Sequence, residues 1–107
     1  MWYLISMFGP AQVDPDRDEA ADLREHEAYA NELRSEGSLD FVGVIADPSA
    51  TITIGRSDDA ARSADTSRNL VGLYMVKATD EPAARALAAR NPLLCQGGYL
   101  EVRRLRE

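Results

Sequence analysis

Leu70-Val-Gly-Leu-Tyr-Met-Val-Lys-Ala-Thr-Asp-Glu-Pro-Ala-Ala-Arg-Ala-Leu-Ala-Ala-Arg90 reads as a strand that runs straight into a helix, and the strand decides the architecture. Leu73 and Met75 alternate with Tyr74 and Val76, so both faces of Leu70–Lys77 are apolar. Thr79 or Asp80 can accept a hydrogen bond from the free N–H groups of a following helix, and Pro82 suits its first turn. That helix is expected to reach about Arg90, because Asn91-Pro92 disfavours helical geometry beyond it.

Working outward, Trp2–Phe8 repeats the two-faced pattern: Tyr3, Ile5 and Met7 lie opposite Trp2, Leu4 and Phe8, with Ser6 as the polar exception. Gly9-Pro10 ends it. The acidic stretch Asp14-Pro-Asp-Arg-Asp18 supplies a cap for a first helix starting between Pro15 and Asp18, and Gly37 stops that helix. Leu39 to Ile45 is an expected second strand and Ala50 to Ile54 a third, joined by a turn at Asp47-Pro48. A polar loop of residues 55 to 69 follows, long enough to suggest function. Tyr99 to Leu105 is the final strand.

The order β-α-β-β-β-α-β makes residues 1–107 a single α+β domain. Its expected form is a ferredoxin-like antiparallel sheet with one added strand and two helices on one face. Two helices leave the second apolar face bare. A second copy packing sheet to sheet in a two-fold homodimer would cover it.

Composition narrows the functional classes. Apolar residues make up 45% and charged residues 28%, as in an ordinary globular domain. A net charge of −6 argues against a nucleic-acid partner, since phosphate binding needs a basic surface. No apolar run approaches the ~20 residues of a membrane span. The opening Met1-Trp-Tyr-Leu-Ile-Ser-Met-Phe8 lacks the basic start of a signal peptide, so the cytoplasm is the expected compartment. The arginine and alanine bias suggests a high-GC bacterial genome. Cys95 is the single cysteine, which leaves no intrachain disulfide. With one histidine and no acid motif at ligand spacing, no metal site is expected, and no glycine-rich phosphate loop appears.

That histidine is His26. At helical spacing it shares a stripe with Leu23, Tyr29, Ala30 and Leu33, and Asp22 lies one turn before it. An imidazole among apolar residues with a carboxylate at i−4 is either a packing residue or a proton-transfer group. Tyr3, Tyr29 and Ser6 are the candidate substrate contacts. A phenol near His26 could orient a carbonyl or phenolic molecule. Cys95 has no basic neighbour in sequence, and Arg103, Arg104 and Arg106 form a basic terminus suited to a solvated rim.

These features in this order resemble the YCII-related family, which includes the DGPF-type proteins. The resemblance rests on Met1-Trp-Tyr-Leu-Ile5, on His26, Tyr29 and Leu33, and on Gly37 before the second strand. Gly72-Leu-Tyr74, Asn91-Pro92 and Gly98-Tyr-Leu-Glu-Val-Arg103 complete it. It implies the dimeric α+β barrel architecture and a catalytic pair made of a helix-one histidine and an acid. The histidine falls on His26. Short members carry Asp-Pro where this chain has Asn91-Pro92, and Asp65-Thr-Ser-Arg68 stands roughly where the other branch has Asp-Gly-Pro-Phe. Asp65 or Asp22 is therefore the candidate acid, while Asn91 can orient an imidazole but cannot stabilise its charge as a carboxylate does.

Two functions follow as expectations. One is a lyase or isomerase of degradative or secondary metabolism that needs no cofactor and uses His26 as general base for elimination, isomerisation or cyclisation of a small molecule. The other is a dimeric binding or accessory protein that keeps the pocket without the chemistry. A cofactor-free monooxygenase rests on shared architecture alone.

Overall fold

The computed structural model describes residues 1–10, 12, 14–47, 50–56 and 68–107. Strand β1 is Trp2–Phe8, helix α1 Glu19–Ser35, β2 Leu39–Val44, β3 Leu70–Lys77, α2 Glu81–Ala89 and β4 Tyr99–Arg104, with a 3-10 turn over Pro92–Gln96. The four strands form one antiparallel sheet in the order β2-β3-β1-β4, with both helices on one face. This is the ferredoxin-like α+β arrangement.

Local chemistry sets the boundaries. The Asp18 carboxylate accepts from the Ala21 N–H at 3.1 Å and the Asp80 carboxylate from the Ala83 N–H at 2.9 Å, so each helix starts on a side-chain cap. At the end of α1, Gly37 takes φ +76°, with Gly37 N–H on the Arg34 carbonyl at 3.0 Å and Ser38 N–H on the Leu33 carbonyl at 2.9 Å. A left-handed residue there is what the Schellman closure requires, and glycine adopts it without strain.

The core lies between helices and sheet. Tyr3, Ile5 and Met7 of β1 and Tyr74 and Val76 of β3 pack under Tyr29, Ala30 and Leu33 of α1, with Ala84 and Ala88 of α2 and Leu93 beside them. The opposite face carries Trp2, Leu4, Leu73 and Met75, all half-buried, and Phe41, 52% exposed. At one end of that face Phe8 stacks on Tyr99, with ring centroids 5.0 Å apart, and the Arg68 guanidinium lies 4.0 Å over the Phe8 ring. Arg68 also donates to the Tyr99 hydroxyl at 3.2 Å and pairs with Glu101.

The expected third strand at Ala50 to Ile54 is not one. The alternating Thr and Ile have strand propensity, but no ladder forms there among the described residues, and Ile52 and Ile54 are 85% and 91% exposed. The Ala50 N–H reaches the Asp47 carbonyl at 3.1 Å, while Pro48 of the expected turn lies outside the described residues. The sheet therefore has four strands among the described residues. Most of the 55-to-69 loop, Asp65 included, lies outside them.

Candidate functional site

The stripe on α1 divides into two halves. Tyr29, Ala30 and Leu33 are buried, whereas Leu23, apolar and in phase with them, is 56% exposed. The first half of the helix stands away from the sheet, and the gap is a cavity of about 530 Å³. Glu19, Asp22, Leu23 and His26 form its helix side, Met7, Val71 and Tyr74 its sheet side, and Gly43 to Ile45 close the β2 end. That volume is within the range of small-molecule pockets.

His26 is half-buried on this wall. Its Nε2 lies 2.9 Å from Gln96 Oε1, and the Gln96 amide donates in turn to the Glu25 carboxylate at 3.2 Å. Nδ1 is enclosed and has no hydrogen-bond partner among the described residues. Gln96 is 8% exposed and its position is set by the short turn that carries it. The Asn91 carboxamide caps that turn by accepting from the Leu93 N–H at 2.9 Å, and Pro92 occupies its first position. Gly97, at φ +88°, ends it. Gly98 follows with no room for a side chain, since a Cβ would stand 2.5 Å from both Leu93 Cγ and the Phe8 carbonyl.

Asp22 lines the cavity but is engaged by Arg17, whose Nε and Nη2 donate to its two oxygens at 2.9 and 2.6 Å. The hydrogen bond from Arg17 holds its carboxyl below the usual range, outweighing burial; the charge of His26 adds only a small further effect. Asn91 is 2% exposed, and its cap bond is to the backbone rather than to the imidazole; Nδ2 is buried without a partner among the described residues. Tyr29 is core: its hydroxyl donates to the Leu87 carbonyl at 2.7 Å, and burial, then the neighbouring Tyr74, push its pKa up to about 12. Tyr3 lines a different cavity, of about 650 Å³, with Met1, Val102, Arg104 and the start of α2. In that cavity Asp80 is a helix cap, Glu81 pairs with Arg85 and the Met1 amine with Glu107. Ser6 faces the open side of the sheet, between Leu73 and Glu101 in register. Asp65 lies outside the described residues.

So His26 and Asp22 share one cavity, and Tyr3, Tyr29 and Ser6 do not join them. Gln96 and Glu25 were missed. The signal for the turn was present, in Asn91, Pro92 and Gly97 as cap, first residue and stop, but the pairing of Gln96 with a residue 70 positions away leaves no local trace. Among the described residues no group of three His, Cys, Asp or Glu side chains is placed to hold a metal ion, and no helix is long and apolar enough to cross a membrane.

No curated protein matches the chain in sequence. Among solved structures, the 5-chloro-2-hydroxyhydroquinone dehydrochlorinase of Burkholderia phenoliruptrix, in complex with 2,5-dihydroxybenzoquinone, has the same fold. It superposes with a TM-score of 0.59 at 15% sequence identity, over 99% of this chain and 94% of that one. The model of the YCII-related domain matches residues 1–107, and the chain belongs to that family.

Proposed function

We propose that this protein is a lyase or isomerase that needs no cofactor and moves a proton on a small carbonyl-bearing or phenolic molecule, with His26 as general base. One observation carries the reading. The chain's single imidazole stands on the wall of a cavity of about 530 Å³ with one nitrogen held by Gln96 and the other, enclosed, without a partner among the described residues. Met7, Leu23, Val44, Ile45, Val71 and Tyr74 offer an apolar bed for a flat ring, with Glu19 and the Asp22–Arg17 ion pair on the helix side. In an elimination, the imidazole takes a proton from a substrate hydroxyl or from a carbon beside a carbonyl. The freed electron pair forms the new double bond, and the leaving group departs as an anion. The reading includes a homodimer joined through the bare sheet face, and a cytoplasmic place in degradative or secondary metabolism.

A binding protein without chemistry is the second reading. It is favoured by the absence of any carboxylate on His26 among the described residues, Asp22 being held by Arg17. The dehydrochlorinase likeness supplies probes that separate the two: release of chloride from 5-chloro-2-hydroxyhydroquinone, and binding of 2,5-dihydroxybenzoquinone followed by melting temperature. Turnover that falls roughly 10²–10⁴-fold in both His26→Ala and His26→Gln, with fold retained, supports the base. Variants that melt earlier yet keep their activity per folded molecule would leave only packing. Binding without turnover in the unaltered protein would favour the second reading for this substrate class.

A further inference from the structure

We propose that Gln96 is a positioning residue that holds His26 as the Nε2–H tautomer, so that the lone pair of the neutral ring is left on Nδ1. This rests on the base role proposed for His26. Glu25 sets the direction of the Gln96 amide. An ionised carboxylate only accepts hydrogen bonds, so the group that Gln96 turns toward Glu25 Oε2, at 3.2 Å, must be its NH₂. The other end of the same amide, Oε1, then faces His26 Nε2 at 2.9 Å, and an amide oxygen only accepts. Nε2 must therefore carry a proton, and in a neutral imidazole the lone pair is left on Nδ1.

The two ends of the amide are chemically opposite, and Glu25 decides which end the imidazole meets. Burial makes the choice firm: Gln96 is 8% exposed, and turning its amide over would set NH₂ against a nitrogen and oxygen against a carboxylate. The arrangement also suits a base. When Nδ1 takes a proton, Nε2–H keeps the bond it already has, so no neighbour need move, and the negative Glu25 lies beyond the amide. Nδ1 is enclosed and has no partner among the described residues, so a substrate proton reaches it only once the helix turn that carries His26 shifts.

His26 is the only histidine, so a nitrogen-15 spectrum of the imidazole region comes from one residue. The unaltered protein should show Nδ1 as the unprotonated nitrogen whenever the ring is neutral. Gln96→Leu, similar in size but without an acceptor, should give a mixture of tautomers, and Gln96→Glu combined with Glu25→Gln, which keeps an acceptor at Nε2 and a donor beside it, should restore the single form. In the chloride-release assay Gln96→Leu should lower kcat by roughly 10²-fold or more, with KM little changed. A ring protonated on Nδ1 in the unaltered protein overturns the proposal, as does a Gln96→Leu spectrum identical to it. Should Gln96→Leu fail to fold, Glu25→Gln on the helix surface asks the same question: it frees the amide to turn over, and an unchanged tautomer would refute the mechanism. The spectra need no turnover. A correct tautomer with an active His26→Ala would remove the base role and leave the positioning intact; the wrong tautomer with an inactive His26→Ala would do the reverse.

Discussion

Tyr29 shows how a residue that invites a functional reading is held by its surroundings. A phenol three residues along the helix from His26 looks placed for substrate, yet its O–H is bonded to the Leu87 carbonyl at 2.7 Å and its ring tilts 42° against Tyr74 at 5.5 Å. Tyr29→Phe should cost about 0.5–1.5 kcal/mol in urea unfolding at neutral pH, the usual net worth of one hydrogen bond, and leave turnover unaltered. Its pKa gives a sign for alkaline stability. The folded value, about 12, lies above the roughly 10 of an unfolded tyrosine, so its contribution is complete below about pH 10 and is lost as pH rises toward 12. Unfolding monitored alongside phenolate absorbance should show that loss reduced in Tyr29→Phe, with Tyr74, also raised by burial, supplying a remainder. An alkaline profile identical to that of the unaltered protein would rule the assignment out.

At the scale of elements, strands and helices were legible where period and caps agreed. Trp2–Phe8 and Leu70–Lys77 were read with their observed bounds, and Asp18, Gly37 and Asp80 mark the helix ends as the capping chemistry requires. Ala50 to Ile54 has the right alternation and no ladder: propensity is local, whereas a strand exists only with a partner. The 3-10 turn failed in the opposite way, since its five residues are too few to show a period. For the site, His26 was legible as the polar residue in an apolar stripe, but its contacts were not, because they depend on how two distant elements pack. The turn itself can be tested. Asn91→Ala removes its cap and should cost about 0.5–2 kcal/mol. Gly98→Ala places a methyl group within 2.5 Å of Leu93 and the Phe8 carbonyl, so the turn must shift. A cost of about 1–3 kcal/mol is expected, together with the tautomer mixture described for Gln96→Leu. A Gly98→Ala protein with full stability and a single tautomer would show that the turn does not position Gln96.

At the scale of the whole molecule, the sheet is a partition. Helices and the His26 cavity lie on one side; Trp2, Leu4, Leu73, Met75 and Phe41 lie on the other. A half-buried apolar sheet face with no helix over it among the described residues suits a second copy, and sedimentation at micromolar concentration should give a dimer. Leu4→Asp, in the middle strand of that face, should shift the equilibrium to monomer and move the emission of the single tryptophan, Trp2, toward that of a solvated indole. A monomer in the unaltered protein would sink the dimer without touching the argument for His26.

The division of α1 into a packed half and a standing half makes the helix a cantilever. Tyr29, Ala30 and Leu33 clamp one end against the sheet, and the turns from Glu19 to His26 project over the cavity with little beneath them. A beam held at one end is stiffest at its root. Amide hydrogen exchange should therefore slow progressively from Asp22 toward Leu33, and a molecule seated in the cavity would act as a prop under the free end, flattening that gradient. The steepness of exchange along one 17-residue helix then becomes an occupancy gauge that requires no knowledge of what the occupant is.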